Sequence, residues 1–242
     1  MSLVIAVWVP EGIIIAADSR LSITYSTRDK NAPIEHRHTI TASDANDKVF
    51  LLKERFGLGT FGAADIKGVP ISGFINRFIE EKVKDDIEID RLPELLLEFF
   101  GEPHGWPAVS FYAVGFKAEQ GVSAQHVYFV NIAGKAFNRV NTEGLPVGAN
   151  WGGETEVMSR LLSHVRVEQG TQWNELPAAS IPFNFFTLQD AIDFAVYAIR
   201  TTMESFRFQL RPKTVGGAID ILALKAGEKP LWVQKKRYSA GA

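Results

Sequence analysis

The sequence predicts an α+β fold in which two sheets pack face to face between helical layers, an αββα sandwich. Three observations carry that prediction. Leu3 to Val9 and Ile13 to Ala17 are apolar at every position, not at alternate ones, which marks strands covered on both faces. Strand hairpins then alternate along the chain with pairs of helices. No composition shift or linker divides the 242 residues, so residues 1–242 read as one domain.

The first strand turns at Pro10-Glu11-Gly12 into the second, which stops at Asp18-Ser19-Arg20. Leu21 to Asp47 is polar, contains Asn31-Ala32-Pro33, and reads as a long loop or excursion. Strands resume at Lys48 to Leu52 and Phe56 to Phe61, around the charged turn Lys53-Glu54-Arg55. Ile71, Phe74, Ile75, Phe78 and Ile79 have the spacing of one helical face. A second short helix is expected over Leu92 to Phe100, with Pro93 tolerated in its first turn.

After a loop over Gly101 to Pro107, strands are expected at Ala108 to Phe116, His126 to Ile132 and Ala136 to Val140. Glu154 to Val165 reads as a helix with Val157, Leu161, Leu162 and Val165 inward, and Gly170 to Phe186 as loop. Thr187 and Asp190 form a capping box for a long helix. Its stripe is Leu188, Ala191, Ile192, Ala195, Ile199 and Phe206. Gly216-Gly217 leads into a strand over Ala218 to Leu224, and Leu231 to Lys236 is the last strand.

A formal net charge of −2 implies no general attraction to nucleic acid or to an anionic membrane surface. The absence of cysteine excludes disulfides, thiolate catalysis and cysteine-ligated metal, and it fits a reducing compartment. No apolar run approaches the roughly 20 residues of a membrane helix. No basic segment precedes the apolar start, so no signal peptide is expected. The expectation is a cytoplasmic protein without cofactor or metal. The chain holds no repeat and no low-complexity segment.

Serine follows Met1 directly and precedes the first apolar strand by one residue. With Met1 removed, Ser2 carries both a hydroxyl and a free α-amine, whose ordinary pKa of roughly 7.7–8.0 suits a base near neutral pH. An N-terminal amine is one recognised activator of a hydroxyl nucleophile. Three other signals carry less. His36 and His38 share a strand face if extended but lack an obvious third metal ligand. Gly148 to Gly153 lacks the lysine of a phosphate loop, and Lys235-Lys236-Arg237 reads as a solvated strand edge.

The run Gly12-Ile13-Ile14-Ile15-Ala16-Ala17-Asp18-Ser19-Arg20 resembles the second strand of proteasome β subunits. Counting back from Gly12, Ser2 falls on the position of that family's N-terminal threonine. Lys48-Val49-Phe50 resembles its catalytic lysine and the strand that follows. Gly57 to Asp65 resembles its Gly-x-x-x-(apolar)-Gly-x-x-Asp segment. Val215-Gly216-Gly217-Ala218-Ile219-Asp220 resembles its Ser-Gly-Gly-x-Ile-Asp segment. Four motifs in order across residues 2 to about 224 are similar to the N-terminal nucleophile (Ntn) hydrolases of proteasome type.

That resemblance implies a four-layer αββα sandwich and amide hydrolysis of a peptide or protein substrate. Ser2 is then the nucleophile and Lys48 the nearby cation. Asp18 is the carboxylate that orients Lys48, and Gly62 is the oxyanion donor. Ser22, Phe50, Thr60 and Ala64 are implied in the substrate cleft. The small side chains Thr60 and Ala64 leave room there for a sizeable apolar group. A homo-oligomer, ring or helical, is expected, with an unfolding ATPase partner left open. Two family features are absent. The hydroxyl-bearing turn corresponds to Gly148-Ala149-Asn150-Trp151-Gly152, and an expected aspartate corresponds to Pro212. The group that orients the α-amine is therefore missing or supplied differently, with Asn150 as a candidate. A small-molecule amidase and a non-catalytic ring subunit stay open as alternatives.

Overall fold

The computed structural model describes residues 2–28 and 35–237. In chain order the first strands are β1 (Leu3–Val9), β2 (Gly12–Asp18), β3 (Leu21–Arg28), β4 (Glu35–Ser43), β5 (Val49–Leu52) and β6 (Phe56–Gly62). A two-residue ladder, β7 (Asp65–Ile66) and β8 (Val69–Pro70), leads into α1 (Ile71–Lys82) and α2 (Leu92–Phe100). β9 (Val109–Glu119), β10 (Val122–Asn131), β11 (Ala136–Arg139) and β12 (Gly148–Gly153) precede α3 (Glu156–Leu162). Then follow β13 (Val165–Gln169), β14 (Gln172–Leu176), α4 (Leu188–Arg207), β15 (Ile219–Leu224) and β16 (Leu231–Gln234).

Two five-stranded sheets dominate, in the orders β12-β1-β2-β15-β16 and β11-β10-β9-β6-β5. Every pairing within them is antiparallel. The fold is therefore α+β, with helices segregated from antiparallel sheets.

The parity of β1 explains its unbroken apolar run. Val4, Ala6 and Trp8 share a core with Val49, Tyr112, Val114 and Val127 of the other sheet. Leu3, Ile5 and Val7 point the opposite way, into a core with Ala191, Ala195, Ile199 and Phe206 of α4. Successive side chains of a strand face opposite sides, so both sets must be apolar. The second sheet has its own outer core, where Leu58, Phe111 and Ala113 meet Ile75 and Phe78 of α1 and Leu96 and Phe100 of α2. The capping box of α4 is present, with Thr187 accepting from the Asp190 N–H and Asp190 accepting from the Thr187 N–H. Among the described residues no helix is long and apolar enough to cross a membrane.

Several segments differ from the sequence expectation. Within the expected loop Leu21 to Asp47, β3 and β4 are strands that pair antiparallel, with Ile23 opposite Ile40 and Tyr25 opposite His38. Asn31-Ala32-Pro33 lies outside the described residues. Val165 belongs to an exposed hairpin, β13–β14, which also takes the start of the expected Gly170–Phe186 loop, and α3 ends at Leu162. The glycine-rich Gly148–Gly153 is a strand at the edge of the first sheet. Lys235 and Lys236 are not a solvated edge. Both pair with Asp47 and with the buried Asp220, and the Lys236 side chain is only 10% exposed.

Trp8 is fully buried between the sheets. Truncating Trp8→Ala is expected to remove about 3–5 kcal/mol of unfolding free energy. Leu210→Ala, on a fully exposed side chain, should stay within about 0.5 kcal/mol. Urea unfolding followed by circular dichroism checks both.

Candidate active site

Asp18 is the last residue of β2, and its side chain is buried. Its Oδ1 accepts from the Leu3 N–H at 2.9 Å and from Lys48 Nζ at 2.7 Å. Its Oδ2 accepts from the Arg20 N–H at 3.1 Å and the Gly216 N–H at 3.0 Å. Four donors thus fill the lone pairs of one carboxylate. They come from the starts of β1, β3 and β5 and from the segment entering β15. The antiparallel turns bring these chain segments to one end of the fold.

Lys48 stands just before β5 and is almost completely buried. Its carbonyl accepts from the Thr60 N–H at 2.9 Å, which fixes it against β6. Burial pushes the Lys48 ammonium below its ordinary pKa, and the Asp18 charge opposes that shift without reversing it.

A cleft opens over this pair. Its wall includes Ser2, Lys48, Ser22, Thr60 and Ala64, five residues expected there from the sequence. Arg20, Leu21, Asn46, Phe61, Ala63 and Ile71 complete the lining. Ser2 is 8% exposed. The Thr60 hydroxyl is buried and has no hydrogen-bond partner among the described residues. Arg20 makes a two-pronged bridge to Asp44, at 2.6 and 2.8 Å, which pins the base of the β3–β4 pair beside the cleft.

Gly62 sits at the end of β6 with φ +100°. A Cβ there would lie 2.4 Å from the Ala108 carbonyl oxygen, so only glycine fits. Thr60 sends its N–H to Lys48, and Ala63 sends its own to the Ala108 carbonyl on the β9 side. By strand alternation the Gly62 N–H points to the Lys48 side, beyond the point where β5 begins.

Asp18 and Gly62 adjoin the cleft without lining its wall, and two further expected residues lie elsewhere. Phe50 is buried in the core under α1 and α2 and is not part of the cleft wall. Asn150 faces Ala6 in the β1–β12 register and accepts a 2.6 Å hydrogen bond from the Tyr112 hydroxyl. Burial raises the Tyr112 phenol above its ordinary pKa, so it stays a donor there.

Glu154 and Thr214 are the polar pair that the sequence reading missed. The Glu154 N–H donates to the Ser2 carbonyl at 2.8 Å, and its buried carboxylate accepts from the Thr214 hydroxyl at 2.6 Å. The available signal was a carboxylate directly after the glycine strand, which reads equally well as the first residue of a helix. Met1 and the His36 side chain lie outside the described residues. Among the described residues no group of three or more histidine or acidic side chains could hold a metal ion. No protein-family model matches the chain, and no curated protein matches it.

Asp18→Asn should cost about 3–5 kcal/mol by leaving the Lys48 charge buried without its partner. Asp44→Asn breaks a bridge whose carboxylate is about half exposed, and should cost under about 1 kcal/mol. Chemical denaturation of the two variants side by side measures the contrast.

Proposed function

We propose that the chain is an Ntn hydrolase of proteasome β-subunit type that cleaves amide bonds of peptides, with Ser2 as nucleophile after removal of Met1. The observation that carries this reading is the buried Lys48–Asp18 pair in contact with the same cleft that Ser2 lines. A buried ion pair is costly to assemble and adds little stability over apolar packing. Its position beside a hydroxyl in a cleft is explained by chemistry. The two sheets with a shared core, each with helices on its outer face, suit the four-layer αββα sandwich of such enzymes.

In the proposed reaction Ser2 Oγ attacks the substrate carbonyl carbon while its proton passes, directly or through water, to the free α-amine. The carbonyl oxygen takes up the negative charge, and the Gly62 N–H is the donor aimed at it. Collapse expels the amine product, which takes the proton from the α-amine and leaves an ester on Ser2. Water then attacks the ester, the acid product departs and Ser2 regains its proton. The Lys48 charge lowers the pKa of the hydroxyl and of the amine throughout. Ala63, Ala64 and Ile71 give the cleft an apolar wall that suits an apolar substrate side chain, and the unpartnered Thr60 hydroxyl can serve its main chain.

An epoxyketone, which needs the hydroxyl and the free α-amine of one residue, is expected to label Ser2 in protein whose intact mass lacks Met1. Ser2→Ala should abolish labelling and peptide hydrolysis with an unchanged melting temperature. Lys48→Ala should lower the rate by at least about 100-fold. Labelling that persists in Ser2→Ala, or full activity in Lys48→Ala, overturns the assignment. An active wild type also separates this reading from a non-catalytic ring subunit.

A further inference from the structure

One segment pairs with the proposed nucleophile, a second holds Asp18, and one carboxylate joins the two. The first is the end of β12. Gly153 takes φ +95°, and a Cβ there would lie 1.8 Å from the Ser2 carbonyl oxygen. Leu3 faces Gly153 in the β1–β12 register, so the next pair is Ser2 and Glu154, and the Glu154 N–H donates to the Ser2 carbonyl at 2.8 Å. The second segment runs from Arg211 to Gly216. Its Gly216 N–H holds Asp18 Oδ2, and its Gly216 carbonyl accepts from the Ser19 N–H, each at 3.0 Å.

Glu154 spans the gap between them. Its Oε1 accepts from Thr214 Oγ1 at 2.6 Å, and its Oε2 accepts from Arg211 Nη2 at 2.8 Å. Arg211 is itself held by Glu156 at 2.9 Å and lies over the Phe206 ring at 4.0 Å. The carboxylate is therefore fixed in direction, is nearly all buried, and keeps lone-pair capacity beyond these two donors.

We infer that Glu154 is the positioning residue for Ser2. Its main chain holds the Ser2 carbonyl, and its locked carboxylate ties that strand end to the segment that holds Asp18. It also presents a fixed negative charge on the residue paired with the N-terminal nucleophile. The carboxylate follows directly after β12, and the resemblance had led one to expect an acidic side chain at Pro212 instead. The inference rests on the proposed role of Ser2. The charged groups around this region are Lys48 and Arg20 in the cleft, Asp18 beside Lys48, and Arg211 and Glu156 on the far side of Glu154.

The test compares wild type with Glu154→Gln, Thr214→Val and Thr214→Ser in protein whose mass verifies the Ser2 terminus. Fluorogenic peptide hydrolysis gives kcat and KM, and β-lactone labelling across pH gives the acid limb of reactivity. Glu154→Gln is expected to lower kcat at least about tenfold with KM within about twofold. Its acid limb should move to lower pH, because loss of a nearby negative charge makes the amine easier to deprotonate. Thr214→Val should move both in the same direction, and Thr214→Ser should restore wild-type behaviour. If Glu154→Gln fails to fold, the two Thr214 variants decide on the same readouts. A labelled, active wild type with an unshifted, fully active Glu154→Gln overturns the inference and leaves Ser2 in place. A wild type that is neither labelled nor active overturns both.

Discussion

Asp18 accepts two donors on each carboxylate oxygen, and the four come from separate parts of the chain: Leu3, Arg20, Lys48 and Gly216. Both sheets and the cleft depend on that convergence. Leu3 opens β1, Gly216 precedes β15, and Lys48 leads into β5 of the opposite sheet. A carboxylate buried this deeply is tolerated only when its lone pairs are filled and a cation lies close. Each donor therefore constrains the rest: moving any one strand leaves a buried charge partly unsatisfied. The pair contributes definition of geometry more than net stability, which is what a site needs from its supports.

Lys48 feels two opposed effects. Burial disfavours its ammonium, and contact with Asp18 favours it; the balance lies on the side of a lowered pKa. Lys236 and Arg20 add like-charge repulsion from a greater distance. A cation under this tension is relieved by any new negative charge nearby. In a dry setting such an interaction is worth far more than in water. The Asp47–Lys236–Asp220 cluster anchors the residues that follow β16, so the field around Lys48 includes Lys236.

The elements legible in the sequence are those whose side chains meet a core on a regular period. β1 and β2 declared themselves by apolar residues on both faces, α4 by its stripe and capping box, and α1 by the helical spacing of Ile71, Phe74, Ile75, Phe78 and Ile79. The strand pairs β3–β4 and β13–β14 expose Ile23, Tyr25, Ile40, Val167 and Trp173. Without a buried face, alternation carries little signal above a polar background. β12 was hidden for the opposite reason. Its glycines answer to crowding rather than to strand propensity, since a Cβ on Gly152 would meet the Phe61 ring at 2.2 Å. At the site, motif spacing anticipated the meeting of Ser2, Lys48, Asp18, Thr60 and Ala64. It misjudged Phe50, whose side chain turns with Leu52 toward the helices.

The Asn150 expectation shows what spacing alone cannot supply. Asn150 pairs with Ala6, four positions along the strand from Glu154 and about 13 Å away at the usual rise of an extended chain. No side-chain rotation brings its amide to Ser2, and Tyr112 already occupies its oxygen. The register instead leaves Glu154 as the residue opposite Ser2. The basic stretch Arg211-Pro212-Lys213, where the family resemblance leads one to expect an aspartate, then acquires a reason. An acidic group already stands on β12's end, so the facing segment is complementary, with Arg211 and Thr214 as donors to it.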